Sequence, residues 1–281
     1  MKLTVLSDNL TQRNDLITEH GLSYYIESGD KKILFDTGQS GSFIQNAEKL
    51  GVDLKDVDYL ILSHGHFDHA GGISDFLELN KKAVFILKSE AMLDKFSYKK
   101  YIGMPRGIRL PMERMLILDS YLKISRQIYV LGEIHVYHPS QTHFDHFFTR
   151  RGKNIVPDTF NDELFLVLLS EESLGIVTAC SHHGITNIIG TAKNKFRRPV
   201  KSVIGGFHLK DSNSETVIEV AEYLKQEKTE QIITGHCTGF DNYLMLKKTC
   251  NNICYGYCGQ NYPIKIHQKT LKNENSNTFT Q

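Results

Sequence analysis

The chain has no excess of charge of either sign: 33 lysines and arginines against 32 aspartates and glutamates leave a net charge of +1. Such a balance gives no general attraction to an anionic membrane or to nucleic acid, and no basic stripe argues for an RNA substrate. Long apolar runs are missing too, and none approaches the length of a membrane span. The opening Met-Lys-Leu-Thr-Val-Leu-Ser reaches Asp8 before the core of a secretory signal can form. These absences predict a cytoplasmic protein without a membrane partner. Cysteine is scarce and odd in number, with five residues at 180, 237, 250, 254 and 258, which excludes an ordinary secreted disulfide framework. Cys250, Cys254 and Cys258 recur every four residues and match no C-x-x-C form, so they read as thiols packed along one helical face rather than as a metal cluster. No linker composition divides the 281 residues, and one domain over 1–281 is expected, with a lid-like insertion at 88–115 and a flexible polar tail at 272–281.

What the chain does have is concentrated between Val57 and Gly72. The apolar run Tyr59 to Leu62 reads as a buried strand, and it stops at three histidines and an aspartate within six positions, His64, His66, Asp68 and His69. In an extended segment His64 and His66 leave the same face, whereas Asp68 and His69 follow as the chain turns into a short helix carried by Ile73, Phe76 and Leu77. One pair can then serve one metal while Asp68 and His69 face a second.

The same punctuation recurs along the chain. A hairpin turning at Gly29-Asp30 returns to end at Asp36 and brings His20 to the same end. A second hairpin, Leu164 to Leu169 and Leu174 to Ala179, sends Asp162-Glu163 and Cys180-Ser181-His182 out together. Strand 200–204 runs into His208, a helix opened by Ser212 with Glu215 as its capping box follows, and strand 231–234 ends at His236. Several strands therefore end in histidine or aspartate just before a turn or helix, which marks one shared edge as a site. Residues 121–137 read as two further strands, and 139–159 as a polar loop. The histidines at 135, 138, 143 and 146 read mainly as loop and strand-face residues. The stretch 88–115 mixes cations, among them Lys99 and Arg106, with aromatics; it is either a solvated cap or a lid that offers these side chains to an anionic ring-containing substrate.

Ser63-His64-Gly65-His66-Phe67-Asp68-His69-Ala70-Gly71-Gly72 resembles the HxHxDH signature of the metallo-β-lactamase superfamily, and Ile33-Leu34-Phe35-Asp36-Thr37-Gly38 resembles its first motif. More narrowly, Glu19-His20-Gly21, Pro157-Asp158 with Asp162-Glu163, Cys180-Ser181-His182, Gly205-Gly206-Phe207-His208 and His236-Cys237-Thr238-Gly239 resemble its dihydropteroate-synthase-like branch. Members of that branch bear the name 7,8-dihydropterin-6-methyl-4-(β-D-ribofuranosyl)aminobenzene 5′-phosphate synthase. The resemblance spans most of residues 1–268. It implies an α/β fold, the αββα four-layer sandwich of two mixed β-sheets flanked by helices. It also implies two divalent metal ions held by His64, His66, Asp68, His69, His182 and His236, with Asp36 supporting a ligand from behind. His-rich ligation suits zinc, and iron, manganese or magnesium are the alternatives. Most members of the superfamily carry a bridging aspartate where this chain has Ala179-Cys180-Ser181-His182; Asp162 or Glu163 leaning in, or water alone, would have to replace it.

A metal ion in such a site lowers the pKa of bound water to about 7, and Asp68 can orient that water or take its proton. His208 is read as a general acid, as a binder of an oxyanion or phosphate, or as a further ligand. His20, Asp162, Glu163, Lys99 and Arg106 complete the set expected to support the site or touch substrate. The expected function is a metal-dependent hydrolase of a small anionic ester, phosphoester or lactone. The alternative is a transferase coupling a dihydropterin pyrophosphate to ribofuranosylaminobenzene 5′-phosphate. Either way the expected partner is a small anionic or phosphorylated molecule, and a homo-oligomer stays open.

Overall fold

Alternation along the strands sets the layering. In the computed structural model, which describes residues 1–266, the chain begins with β1 (Lys2–Ser7), β2 (Ser23–Ser28), β3 (Lys31–Phe35), α1 (Ser42–Lys49), β4 (Tyr59–Ile61), α2 (Phe67–Ala70), α3 (Ile73–Leu79) and β5 (Val84–Leu87). It continues through β6 (Lys95–Ser97), β7 (Lys100–Tyr101), β8 (Met115–Ile117), β9 (Tyr121–Lys123), β10 (Ile128–Leu131), β11 (Phe147–Arg151) and β12 (Asn154–Pro157). The last part holds β13 (Phe165–Leu169), β14 (Leu174–Val177), α4 (Ile185–Phe196), β15 (Val200–Ile204), α5 (Ser214–Gln226), β16 (Gln231–Thr234), α6 (Phe240–Thr249), β17 (Ile253–Tyr255) and β18 (Asn261–Pro263). The expected tail at 272–281 lies outside the described residues.

Two seven-stranded mixed sheets result, in the orders β18-β1-β2-β3-β4-β5-β8 and β17-β16-β15-β14-β13-β10-β9. One face of each strand set meets the other sheet: Leu3, Val5, Tyr24, Ile26, Ile33 and Phe35 pack with Val130, Leu166, Leu168 and Val177 in a central apolar layer. The opposite faces are covered by helices. Phe43 and Ala47 of α1 and Ile73 and Phe76 of α3 lie on Leu34 and Leu60 of the first sheet. On the second sheet, Ile185, Ile188, Ile189 and Ala192 of α4 join Val217, Val220, Ala221 and Leu224 of α5. Each large side chain buried in this way contributes roughly 1.5–3 kcal/mol. The outcome is the αββα sandwich expected.

Both sheets deliver their strand ends to one edge. β3, β4 and β5 are parallel, as are β14, β15 and β16, so the loops after β3, β4, β14, β15 and β16 emerge together. Close backbone approach at this edge requires glycine. A Cβ on Gly71 would overlap the carbonyl of Gln39, and Gly71 N–H already donates to Gly38 O at 2.9 Å. Gly71→Ala is expected to cost about 1–3 kcal/mol through forced displacement; an unchanged urea midpoint would refute the tight contact.

Several expectations are corrected. The stretch 139–159 is not simply a loop: β11 and β12 form a third sheet, ordered β12-β11-β6-β7, with two strands of the 88–115 insertion. Residues 132–137 are not a strand. The α5 cap is Asn213, whose Oδ1 accepts from Thr216 N–H at 2.9 Å, not Ser212. Cys250, Cys254 and Cys258 do not share a helix: Cys250 ends α6, Cys254 lies exposed on β17, and Cys258 buries its thiol against the Leu6 carbonyl.

Candidate metal centre

β4 ends at Ile61, and the next residues turn across the sheet edge into α2. His64, His66 and His69 are all buried, and the His64 ring lies 4.6 Å from His66 and 4.3 Å from His69, centroid to centroid. Gly65 N–H donates to Asp162 Oδ2 at 2.8 Å, which fixes the turn between the first two histidines. His182, delivered by β14, lies 5.0 Å from His64 and 5.2 Å from His66. His64, His66 and His182 offer ligand atoms that all fall within 4.8 Å of one another. On the far side, Asp68 Oδ2 lies 3.8 Å from His69 Nε2 and 3.4 Å from His236 Nε2. All six residues expected as ligands thus come together in two adjoining groups.

Their hydrogen bonds set the tautomers. Buried Asp36 accepts from Ser63 N–H at 2.7 Å, from Ser63 O–H at 2.6 Å and from His69 Nδ1–H at 2.7 Å. Because the Ser63 hydroxyl proton goes to Asp36, its oxygen accepts from His64 Nδ1–H at 2.9 Å. His182 Nδ1–H donates to the His143 carbonyl at 3.2 Å, and His236 Nδ1–H donates to Asn9 Oδ1 at 2.9 Å. In the neutral rings of His64, His182 and His236, and in His69 when it is deprotonated, the remaining Nε2 therefore carries a lone pair. Nε2 of His64, His66, His182 and His236 is buried without a hydrogen-bond partner. Several converging lone pairs with nothing to accept from are costly unless a cation takes them, so the donor set fits a divalent metal.

The electrostatics agree. Burial pushes His64 and His182 well below the usual imidazole range, His66 down to about 3 and His236 down to about 4, so these rings are neutral. Burial opposes charge on His69 as well, but the Asp68 and Asp36 carboxylates outweigh it and push this imidazole up. Asp68 is held well below its ordinary value: burial acts to raise it, and the neighbouring imidazoles, His69 first and then His20 and His236, outweigh it. The backbone is strained at the same edge, with positive φ at Asp36 (62°), Ser181 (55°), His208 (51°) and His236 (46°).

Around this core, His20 Nε2 lies 3.3 Å from Asp68 Oδ2, and its ring stacks on His236 at 4.9 Å. Asn9 Nδ2 donates to His20 Nδ1 at 3.3 Å, so one amide orients both rings. His208 lies 4.2 Å from His182, and its Nδ1 is buried without a partner. Phe160 stacks on His182 at 3.6 Å and Phe147 packs on His66 at 5.3 Å, so an aromatic wall dries one side. A cavity of about 200 Å³ opens over the centre, lined by His20, Asp68, Cys180, His208, Lys210 and Cys237 among others.

Asp162 and Glu163 support the site through its backbone and do not bridge it, whereas Lys99 and Arg106 do not reach it. Asp162 does not lean toward the histidines, because Lys95 Nζ holds its Oδ1 at 2.8 Å. Glu163 is likewise engaged, accepting from His182 N–H, His183 N–H and His183 Nδ1–H at 2.6, 2.9 and 2.6 Å. Lys99 is exposed at the β6–β7 turn, and Arg106 pairs with Asp94 at 3.0 Å and lies over the Tyr101 ring, so neither lines the cavity. The buried cation of the insertion is Lys95, which sequence reading did not separate from its neighbours. Lys210 and Asn9 also escaped it, and Cys180 was noted only as standing where a carboxylate is missing. Of the four loop histidines, His143 and His146 reach the site's rim, where His143 holds His182 and His146 lines the cavity.

A four-layer αββα sandwich with a histidine and aspartate cluster at the strand ends defines the class. The chain belongs to the metallo-beta-lactamase superfamily, whose pattern matches residues 17–196. It is 32% identical over 260 residues to a Methanocaldococcus jannaschii protein named 7,8-dihydropterin-6-methyl-4-(beta-D-ribofuranosyl)-aminobenzene-5'-phosphate synthase, covering 84% of this chain and 87% of that one. An uncharacterized protein of the same organism is 32% identical over 265 residues, covering 92% and 98%. A crystal structure described as a metal-dependent hydrolase of the beta-lactamase superfamily superposes with a TM-score of 0.83 at 30% identity, over 95% of this chain and all of the other. Among the described residues no helix is long and apolar enough to cross a membrane.

Proposed function

We propose that this protein is a metal-dependent hydrolase that cleaves a small anionic ester, phosphoester or lactone, with two divalent ions, zinc by preference, held by His64, His66 and His182 and by Asp68, His69 and His236. The observation that carries the reading is the set of buried, unpartnered Nε2 atoms of His64, His66, His182 and His236 beside an accessible cavity. A purely structural ion would be closed off by its ligands. Divalent ions bound there supply Lewis-acid polarisation of an ester or phosphoryl oxygen and acidify water.

The chain's own groups do the rest. Asp68, anchored by His20 and held ionised, is the carboxylate within the histidine cluster that can accept a proton from an attacking water. Burial keeps the His208 imidazole neutral, well below its usual range, so it offers one N–H to a developing oxyanion rather than acting as a strong acid. Lys210 lines the cavity and supplies a positive charge for an anionic substituent. Phe147 and Phe160 exclude water from behind His66 and His182. About 200 Å³ suits one small substrate.

A second reading, transfer between a dihydropterin pyrophosphate and ribofuranosylaminobenzene 5′-phosphate, is favoured by the name of the M. jannaschii relative and by a wider groove. That groove, about 540 Å³, shares His146, Phe147, His208 and Asp211 with the cavity and has room for a second substrate. The deciding experiment is elemental analysis of protein purified without added metal, followed by assay of the metal-loaded form on a phosphodiester, a lactone and the pterin pair. Ester turnover is the expected result; pterin coupling without ester turnover would replace hydrolysis by transfer. Failure to bind metal even after reconstitution would overturn both.

A further inference from the structure

The near-zero net charge hides a segregation. Residues 94–109 and 146–157, which hold β6, β7, β11 and β12, carry eight of the 33 lysines and arginines but one of the 32 aspartates and glutamates. The rest of the chain is therefore net acidic, and the pairing of β6 with β11 gathers the cations onto one small antiparallel sheet. Its two faces differ. Lys95, opposite Thr149, and Phe147, opposite Ser97, turn inward, where Lys95 is buried and Phe147 packs with Phe160. The alternate positions form the outer face, on which Tyr101, Phe96, Phe148 and Pro157 make a row across the four strands, roughly 14 Å wide. Two guanidiniums lie on this row, Arg106 at 4.4 Å from the Tyr101 ring centroid and Arg150 at 5.4 Å from that of Phe96. Asp94 holds both, at 3.0 and 3.3 Å, yet both side chains stay open to solvent. Lys99 and Lys100 stand exposed at the β6–β7 turn, and Arg151, paired with Glu90 at 2.7 Å, and Lys153 stand exposed at the opposite end, at the β11–β12 turn. Beside the first end Tyr98 is 72% exposed, and its ring stacks on His146 at 5.0 Å.

We propose that this outer face docks single-stranded RNA. Cations at both ends of the sheet attract phosphates, and the aromatic row with its guanidiniums, together with Tyr98, offers flat surfaces on which unpaired bases stack. A duplex would keep its bases from these rings. An anionic membrane would require free apolar side chains to insert, whereas Phe96 and Tyr101 lie beneath guanidiniums that present charge outward. Asp94, the carboxylate between the two arginines, is an acceptor that a ribose 2′-hydroxyl can use and a deoxyribose cannot. The inner face of the same sheet walls the cavity through Ser97 and Phe147, so a docked strand lies beside the cavity and outside it. The surface shares no residue with the candidate ligands and stands independently of the metal reading.

The test is fluorescence anisotropy of a short labelled oligouridylate titrated with the full chain over a range of salt concentrations. Wild type is expected to bind it more tightly than the oligodeoxyuridylate of equal length, and both more tightly than an abasic strand. Lys99→Gln with Lys153→Gln, at the two exposed turns, is expected to weaken binding about tenfold and to lower the logarithmic salt slope by about 1.4, the share of two phosphate contacts. Arg106→Gln with Arg150→Gln is expected to weaken binding at least about tenfold and to erase the advantage over the abasic strand. Lys55→Gln with Lys225→Gln, an equal loss of charge elsewhere, is expected to bind as wild type does. Circular dichroism and metal content check that each variant is folded; if the arginine pair is not, the lysine pair carries the test. No binding by wild type, or the same affinity and salt slope in the lysine pair as in wild type, would overturn the proposal. So would equal binding of the abasic strand, preference for the deoxy strand, or binding to phosphatidylserine vesicles in place of the oligonucleotide.

Discussion

His66→Ala is expected to reduce turnover by about 10³-fold, on the order of 4 kcal/mol in the barrier, and to release about one equivalent of metal. His66 is buried, its Nε2 has no partner within the protein, and it shares a ligand-sized space with His64 and His182. Removing one of three neutral donors leaves two imidazoles, too few to hold an ion against water. The fold should survive, because His66 N–H and C=O follow the backbone path into α2 and the side chain contacts other rings more than the central apolar layer. Removing an unpartnered nitrogen even relieves a buried unsatisfied group, so metal-free His66→Ala should be no less stable than metal-free wild type. Metal content by elemental analysis, turnover and urea midpoints with and without chelator check the three parts. Full metal content with unimpaired turnover would sink the assignment of this ring as a ligand.

The ligand residues were legible because their signal is local. A buried run such as Tyr59 to Leu62, ending in closely spaced histidines, tells both where a strand stops and what stands there. The hairpin β13–β14 likewise brought Glu163 to the start of the His182 segment, since its register follows from two apolar runs and a short turn. What escaped reading is set by contacts far apart in sequence. β6 pairs with β11 through Ser97 and Phe147, fifty residues apart, and neither strand is long enough to alternate visibly. Nothing in the local pattern separates Lys95 from Lys99 or Arg106; only the pairing that folds β6 under β11 buries the first and leaves the other two outside. Cys180 was legible as a missing carboxylate, but its nearness to His69 depends on two sheets meeting at one edge.

Lys95→Met is expected to destabilise the protein by about 3–5 kcal/mol at neutral pH, the penalty for stranding buried charges. Lys95 is 1% exposed, and its ammonium lies 2.7 Å from Asp158 and 2.8 Å from Asp162, both themselves buried. One ammonium does not neutralise two carboxylates. Burial raises Asp158 and Lys95 only partly offsets it, whereas at Asp162 burial is outweighed by Lys95 and the Gly65 N–H, and the carboxyl is held below its ordinary range. Asp162 is therefore the more readily ionised of the two. Its share of the stability is present above the ordinary carboxylate pKa and is lost as pH falls through its depressed value. Burial opposes the charge on Lys95, but the two aspartates raise its pKa, so its share is lost only as pH rises through that raised value. The difference between wild type and Lys95→Met should accordingly be largest near neutrality and shrink in strong acid. If stranded charge is the cause, adding Asp158→Asn and Asp162→Asn to Lys95→Met should recover most of the loss. The consequence reaches the metal centre, because Asp162 fixes Gly65 between His64 and His66, and Asp158 holds the Phe160 amide at 2.9 Å behind His182. Lys95→Met should thus also weaken metal binding, though it touches no candidate ligand. Denaturation midpoints across pH, read beside metal affinity, test both; equal midpoints for Lys95→Met and wild type at pH 7 would mean that the buried triad contributes nothing to holding the insertion onto the site.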